Sequence, residues 1–173
     1  MQIELLNPET LAARAAEFAG LLRDAVEHGA SIGFTLPLAD TVVANYWHQV
    51  ATGVAAGDKV LLAACDAGGR LLGSAQLALE SRSNGRHRAE VQKVMVFAAA
   101  RGQGIGAALM ARVEAEARSR GRHLLFLDTS SGRGGAEKFY RDLGYEWAGG
   151  IPDYAADPDG QLRSNVIFYK RLT

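Results

Sequence analysis

Two kinds of residue in this chain can do chemistry: glycines behind an arginine, and carboxylates set at the ends of apolar runs. The glycines lie in Arg101-Gly102-Gln103-Gly104-Ile105-Gly106. Upstream, residues 91–97 are β-rich, with Val91, Val94, Met95, Val96 and Phe97. Downstream, Ile105, Leu109, Val113 and Ala117 recur every four residues as one helical stripe, closed by Arg118, Arg120 and Gly121. The glycines therefore stand where a strand ends and a helix begins. A helix N-terminus holds four N–H groups without intrahelical partners and roughly half a positive charge. Losing the Cβ lets phosphate oxygens reach those groups, at a cost of about 1 kcal/mol of helix propensity per glycine. The spacing predicts an anion site. A tight turn needing positive φ is the plainer alternative, although a turn usually takes fewer glycines.

The carboxylates are Glu90, which opens the central strand, and Asp128, which ends the apolar run at residues 123–129. An unpaired charge in such a run is costly. Asp128 also falls at the C-terminal end of a strand, where open α/β sheets bind ligands. The alternative for each is to cap a loop or to pair with Arg86, Arg88 or Arg133. In a regular strand Glu90, Gln92, Val94 and Val96 share one face, and a bulge would break that phase.

The elements that position these groups follow from pattern. Residues 2–6 alternate as a short first strand. Asn7-Pro8 starts a helix with Leu11, Ala15, Phe18, Leu22 and Val26 buried, which Gly29 stops. Residues 30–37 form a loop whose Phe34 either packs beneath it or lines a ligand cleft. Asp40 is expected to cap a second helix, with Val43, Tyr46 or Trp47, Val50 and Val54 as its stripe. Residues 59–65 and 71–79 are strands of an antiparallel hairpin, the second interrupted by the polar Gln76, which either faces solvent or serves a substrate. Residues 80–88 are a polar loop with Arg82, Arg86, His87 and Arg88, by default a solvated face. Residues 123–129 read as a parallel strand buried on both faces. A glycine-rich loop, a short helix at 136–143, a strand at 145–150, an irregular stretch at 151–163 and a last strand at 166–170 complete the chain.

With 173 residues, one domain with a sizeable core is expected. Formal net charge is +0 and no basic tract is present, so neither nucleic acid nor a membrane surface is expected as a partner. The single Cys65 has no partner for an internal disulfide and suits a small buried site. The absence of a signal peptide and of a long apolar stretch leads to the expectation of a cytoplasmic protein.

Arg101-x-x-Gly104-x-Gly106 after a strand resembles the pyrophosphate-binding motif of the GNAT acetyltransferase superfamily. Ala136-Glu137-Lys138-Phe139-Tyr140 with Leu143-Gly144-Tyr145 resembles a second motif of that family. The resemblance implies an α/β (α+β) GNAT fold: a mixed sheet of about 6–7 strands, about 4 helices, order β-α-α-β-β-β-α-β-α-β-β. It implies acetyl-CoA as cosubstrate, no metal, a small-molecule primary amine as acceptor, and a monomer or homodimer. Cofactor contacts would come from Met95, Val96, Arg101, Gly102, Gln103, Gly104, Ile105, Gly106, Thr129, Ala136, Phe139 and Tyr140. A backbone N–H near Met95 or Val96 would polarise the acetyl carbonyl. Tyr140 would be the general acid, or else pack on the sheet and hold the cofactor. Glu90 and Asp128 would bind the acceptor's ammonium and relay its proton. Phe34, Gln76, Glu90, Gln92, Asp128 and Tyr154 are the acceptor-site candidates. Many members have Asn where this chain has Arg133, which removes one expected pantetheine contact.

Gly29-Ala30-Ser31-Ile32-Gly33-Phe34, residues 89–93, Leu127-Asp128-Thr129 and residues 158–162 are similar to the tabtoxin-resistance acetyltransferases, which acetylate the amine of a β-lactam toxin. Two other classes compete. Gly102-x-Gly104-x-x-Ala107 with Asp128 also fits a dinucleotide fingerprint, but four residues separate it from the strand and too few follow for that fold. A catalytically silent acetyl-CoA sensor is the other. A P-loop is excluded, since no Lys-Ser/Thr follows the glycines.

Overall fold

The computed structural model describes residues 1–132 and 135–173. In β2 (Lys59–Cys65), Val60, Leu62 and Ala64 are buried on one side and Leu61, Ala63 and Cys65 on the other. Such a strand needs cover on both faces. One cover is α4 (Ile105–Ser119), whose Leu109, Met110, Val113 and Ala117 are fully buried, together with α5 (Ala136–Asp142). The other comes from α1 (Pro8–Ala13), α2 (Ala15–Glu27) and α3 (Asp40–Ala55), around Phe18, Leu22 and Trp47.

Between these layers lies a seven-stranded sheet in the order β1-β2-β3-β4-β5-β9-β6. It joins β1 (Gln2–Leu5), β2, β3 (Leu71–Leu79), β4 (Arg88–Val96), β5 (Leu124–Ser130), β9 (Asn165–Arg171) and β6 (Glu146–Gly149). Its ladders are antiparallel except β4 with β5. Strand β5 is thus followed in the sheet by an antiparallel neighbour, unlike the parallel run of a dinucleotide-binding fold.

Several expectations change. The first helix is broken at Arg14, whose guanidinium turns to Glu17 at 2.8 Å, Cys65 Sγ at 3.3 Å and the Gly69 carbonyl at 3.0 Å. Tertiary partners of one side chain outweigh an unbroken apolar stripe. The cap of α3 is Ala39, while Asp40 is its first residue and pairs with Arg23. Strand β5 alternates: Leu125 and Leu127 are buried against α4 and α5, whereas Leu124 and Phe126 are half-buried, because α1–α3 cover the other end of the sheet. The stretch at 151–163 contains a small hairpin of β7 (Ala155–Ala156) and β8 (Leu162–Arg163). Gln76 does not face solvent; it is 0% exposed.

Candidate active site

Strand β4 shapes the site. It pairs with β5 only over Arg88↔Leu124, Ala89↔Leu125 and Glu90↔Phe126, and beyond that rung no pairing between the two continues. On its other edge Gln92 pairs with Gln76 and Met95 with Ser74, so β4 spends one more residue than β3. The surplus is taken up at Lys93, whose φ of 49° is left-handed, as a bulge requires. The bulge reverses the strand's phase. Ala89 and Val91 face α4, as do Val94 and Val96 beyond the bulge, while Met95 joins the layer beneath α2 and α3. Glu90 and Gln92 therefore do not share a face with Val94 and Val96.

The fork opens a cleft of about 900 Å³. Its wall on one side is the turn into α4, where Gly102 and Gly104 both have φ of 77°. Gly104 caps α4 without any side-chain hydrogen bond to the first-turn N–H groups. A Cβ on Gly106 would stand 3.2 Å from Phe139 Cζ, so glycine there lets α4 and α5 close together. Of the residues expected near a cofactor, Met95, Val96, Arg101, Gly102, Gly104, Ile105, Gly106, Thr129, Ala136, Phe139 and Tyr140 line the cleft. Gln103 is exposed on the turn and is not part of the wall. Arg133 lies outside the described residues.

Tyr140 is 9% exposed and stands among Phe139, Tyr145 and Phe168, with ring centroids 5.1, 5.9 and 6.0 Å away. Burial, and secondly the charge of Asp128, push its hydroxyl up to about 12, so it stays protonated at neutral pH.

The other side of the cleft carries Glu90, Gln92, Lys93, Asp128 and Tyr154. Of the three arginines weighed as partners, Arg133 lies outside the described residues, while Arg88 pairs with Glu80 at 2.8 Å and Arg86 donates to the Ser81 carbonyl. Glu90 accepts instead from Gln92 Nε2 at 2.8 Å. Lys93 was not foreseen as a site residue. Burial lowers its ammonium below the ordinary value, while Asp128 and then Glu90 oppose that shift. Two expected acceptor residues are elsewhere. Phe34 packs edge-on against Tyr46, centroids 5.2 Å apart, and Gln76 bonds Tyr46 and Lys59; neither lines the cleft. The loop at residues 30–38 and the β7–β8 hairpin both reach the cleft and are joined by Leu36 N–H donating to the Pro158 carbonyl at 3.0 Å. Buried Asp157 ties the hairpin to Arg163 at 3.0 Å and to Ser130 of β5 at 3.4 Å.

A mixed sheet forked beside a glycine-started helix is the GNAT fold. The chain belongs to the Acetyltransferase (GNAT) family, whose model matches residues 21–145. Among solved structures it resembles a ribosomal-protein-alanine N-acetyltransferase from Brucella melitensis, at 25% identity and TM-score 0.81, covering 99% of this chain and 100% of that one. It is similar to a candidate acetyltransferase from Salmonella typhimurium with its cofactor acetyl-CoA, at 21% identity and TM-score 0.81, covering 100% and 94%. A GCN5-related N-acetyltransferase from Kribbella flavida is 24% identical, with TM-score 0.78 and coverage of 99% and 97%. Among the described residues no group of His, Cys, Asp and Glu suits a metal ion, and no helix is long and apolar enough to cross a membrane.

Proposed function

We propose that the chain is a single acetyl-CoA-dependent N-acetyltransferase domain acting on the primary amine of a small molecule, an amino-acid-like compound or a tabtoxin-like β-lactam. The observation that carries this reading is the forked β4–β5 pair, with uncapped helix N–H groups on one side and two carboxylates on the other. The residues fit the cosubstrate. Left-handed Gly102 and Gly104, where a Cβ would meet nothing within 4 Å, leave α4's first-turn N–H groups open to a pyrophosphate. Acetyl-CoA, when bound, supplies an acetyl thioester.

The chain's own residues do the rest. A primary amine has a pKa of about 10.4, so about one molecule in a thousand is nucleophilic at pH 7. Glu90 and Asp128 hold the ammonium and pass its proton to water. A backbone N–H of Met95 or Val96, on the stretch of β4 beyond its pairing with β5, donates to the carbonyl oxygen. Tyr140, protonated at neutral pH, donates to the departing sulfur. The bonded rim of loop 30–38 and the β7–β8 hairpin supports a small acceptor rather than a protein tail.

The test is thiol release from acetyl-CoA with a panel of simple amines, amino acids, β-lactam amino acids and an alanine-headed peptide. Turnover of the small amines is expected. Preference for the peptide would move the acceptor to a protein, and cofactor binding without any turnover would favour a silent sensor.

A further inference from the structure

The chemistry proposed above depends on where Glu90's carboxylate points, and β4 alone does not fix it. Glu90 Oε2 accepts from Gln92 Nε2 at 2.8 Å. Gln92 Oε1 in turn accepts from Lys59 Nζ of β2 at 2.7 Å. The same ammonium donates to Gln76 Oε1 of β3 at 3.1 Å, and Gln76 Nε2 donates to the Tyr46 hydroxyl of α3 at 2.7 Å. Gln76 and Gln92 are direct partners across the last rung before the bulge.

This arrangement has a direction. A carboxamide can turn over about its last bond and exchange donor for acceptor. An ammonium has donors only, so Lys59 admits the oxygen end of both glutamines. The NH₂ of Gln92 is then left facing Glu90, and that of Gln76 facing Tyr46. We infer that Lys59 is a positioning residue of the acetyltransferase site: acting through Gln92, it holds the Glu90 carboxylate toward the acceptor amine. The inference rests on the reading of Glu90 as the group that takes the amine's proton.

The cation is expensive where it sits. Burial lowers Lys59 below its ordinary value and the charge of Lys93 adds to this, with Glu90 opposing. A methionine of similar length would pack there without desolvating a charge, so packing alone does not account for a lysine between two glutamine oxygens. Among the described residues, the other charged or titratable groups lining the cleft with Glu90 are Lys93 on its own strand, Asp128 on β5, His28 at the end of α2, Arg101, Tyr140, Tyr154 and the Asp157–Arg163 pair.

Two measurements test this. The first needs no acceptor: exchange of the Gln92 side-chain NH₂ protons with water, followed by NMR. Exchange should be slow in the wild type and in Lys59→Arg, and should quicken to that of a free side chain in Lys59→Met. Unchanged exchange in a folded Lys59→Met variant overturns the inference. The second is acetyl transfer to glycinamide from neutral pH to about pH 9, across the α-amino pKa of about 8. Lys59→Met and Gln92→Leu should each lose about tenfold at neutral pH, in the range of a misplaced group, with the loss shrinking as pH rises. The double variant should be no worse than either single one. A loss equal at every pH, or additive losses, would mean ordinary structural damage and overturn the inference. Glu90→Gln separates the two claims: an unchanged rate there defeats the reading of Glu90, whereas a loss there with Lys59→Met at wild-type rate defeats only the role of Lys59.

Discussion

Glu90 stands opposite Phe126 in the last rung that β4 and β5 share. Beyond it β5 runs on through Asp128, paired with Ile167 of β9, while β4 bulges at Lys93. The two carboxylates therefore flank the mouth of the fork and do not sit in register.

From this follows the expected behaviour of the acceptor side. Glu90→Gln and Asp128→Asn should lower the rate at neutral pH by ~10²-fold or more for whichever acts as the base. Each should keep a larger share of wild-type activity near pH 10, where free amine is abundant. Rates against pH decide it; wild-type rates for both variants at neutral pH would place amine activation elsewhere.

Tyr140→Phe should lower turnover by ~10²-fold with little change in cofactor affinity. The hydroxyl's value of about 12, set against about 8.5 for a thiol, makes its proton transfer to the thiolate uphill by about 5 kcal/mol unless the thiolate is desolvated as well. Turnover is therefore expected to slow rather than vanish. Single-turnover measurements that find an unchanged chemical step would reduce Tyr140 to a packing residue.

Gly104 tests the phosphate site. Its Cβ position meets nothing within 4 Å, but its φ of 77° strains a branched side chain by about 1–2 kcal/mol. Gly104→Val should show that loss in urea unfolding and weaken acetyl-CoA by more than about tenfold. Gly104→Asn, which tolerates left-handed φ better, should keep the stability and still lose affinity. Normal binding by a folded variant would mean that the pyrophosphate does not sit there.

Saturating acetyl-CoA should raise the melting temperature, since a ligand at 100 times its Kd adds about 2.7 kcal/mol. Nicotinamide dinucleotides should leave it unmoved. The reverse pattern would restore the dinucleotide reading.

Glu116 predicts a pH-dependent part of the stability. Burial pushes this carboxyl up, but Arg120 and Arg112, the latter at 2.8 Å, outweigh burial and hold it below the ordinary value of 4.5. A lowered carboxylate stabilises above its unfolded value and loses that contribution as pH falls through the folded one. Glu116→Gln should cost roughly 1.5–3 kcal/mol at pH 7, as for a hydrogen bond to a charged group. The gap to wild type should shrink below about pH 4. A gap independent of pH in urea unfolding would assign the loss to packing alone.

The strands, the long helix and the glycine turn at its start were legible in the residues themselves, because they rest on local physics. Alternation and four-residue spacing declare strand and helix, and glycines at a helix start declare an open N-terminus. The pairing of Gly104 and Gly106 with the Phe139-Tyr140 segment also identified the fold family, since both motifs are contiguous. What lay in contacts between distant segments was not legible. The break at Arg14 depends on Cys65 and Gly69 from a hairpin some fifty residues away. Phe34 and Gln76 look like cleft residues in one dimension, yet Tyr46 draws both away from it. The bulge at Lys93 was only a contingency in the sequence, because alternation says which residues share a face and not where a strand takes an extra one. Tertiary pairing with β3 decided that, and with it which side chains of β4 meet across the fork.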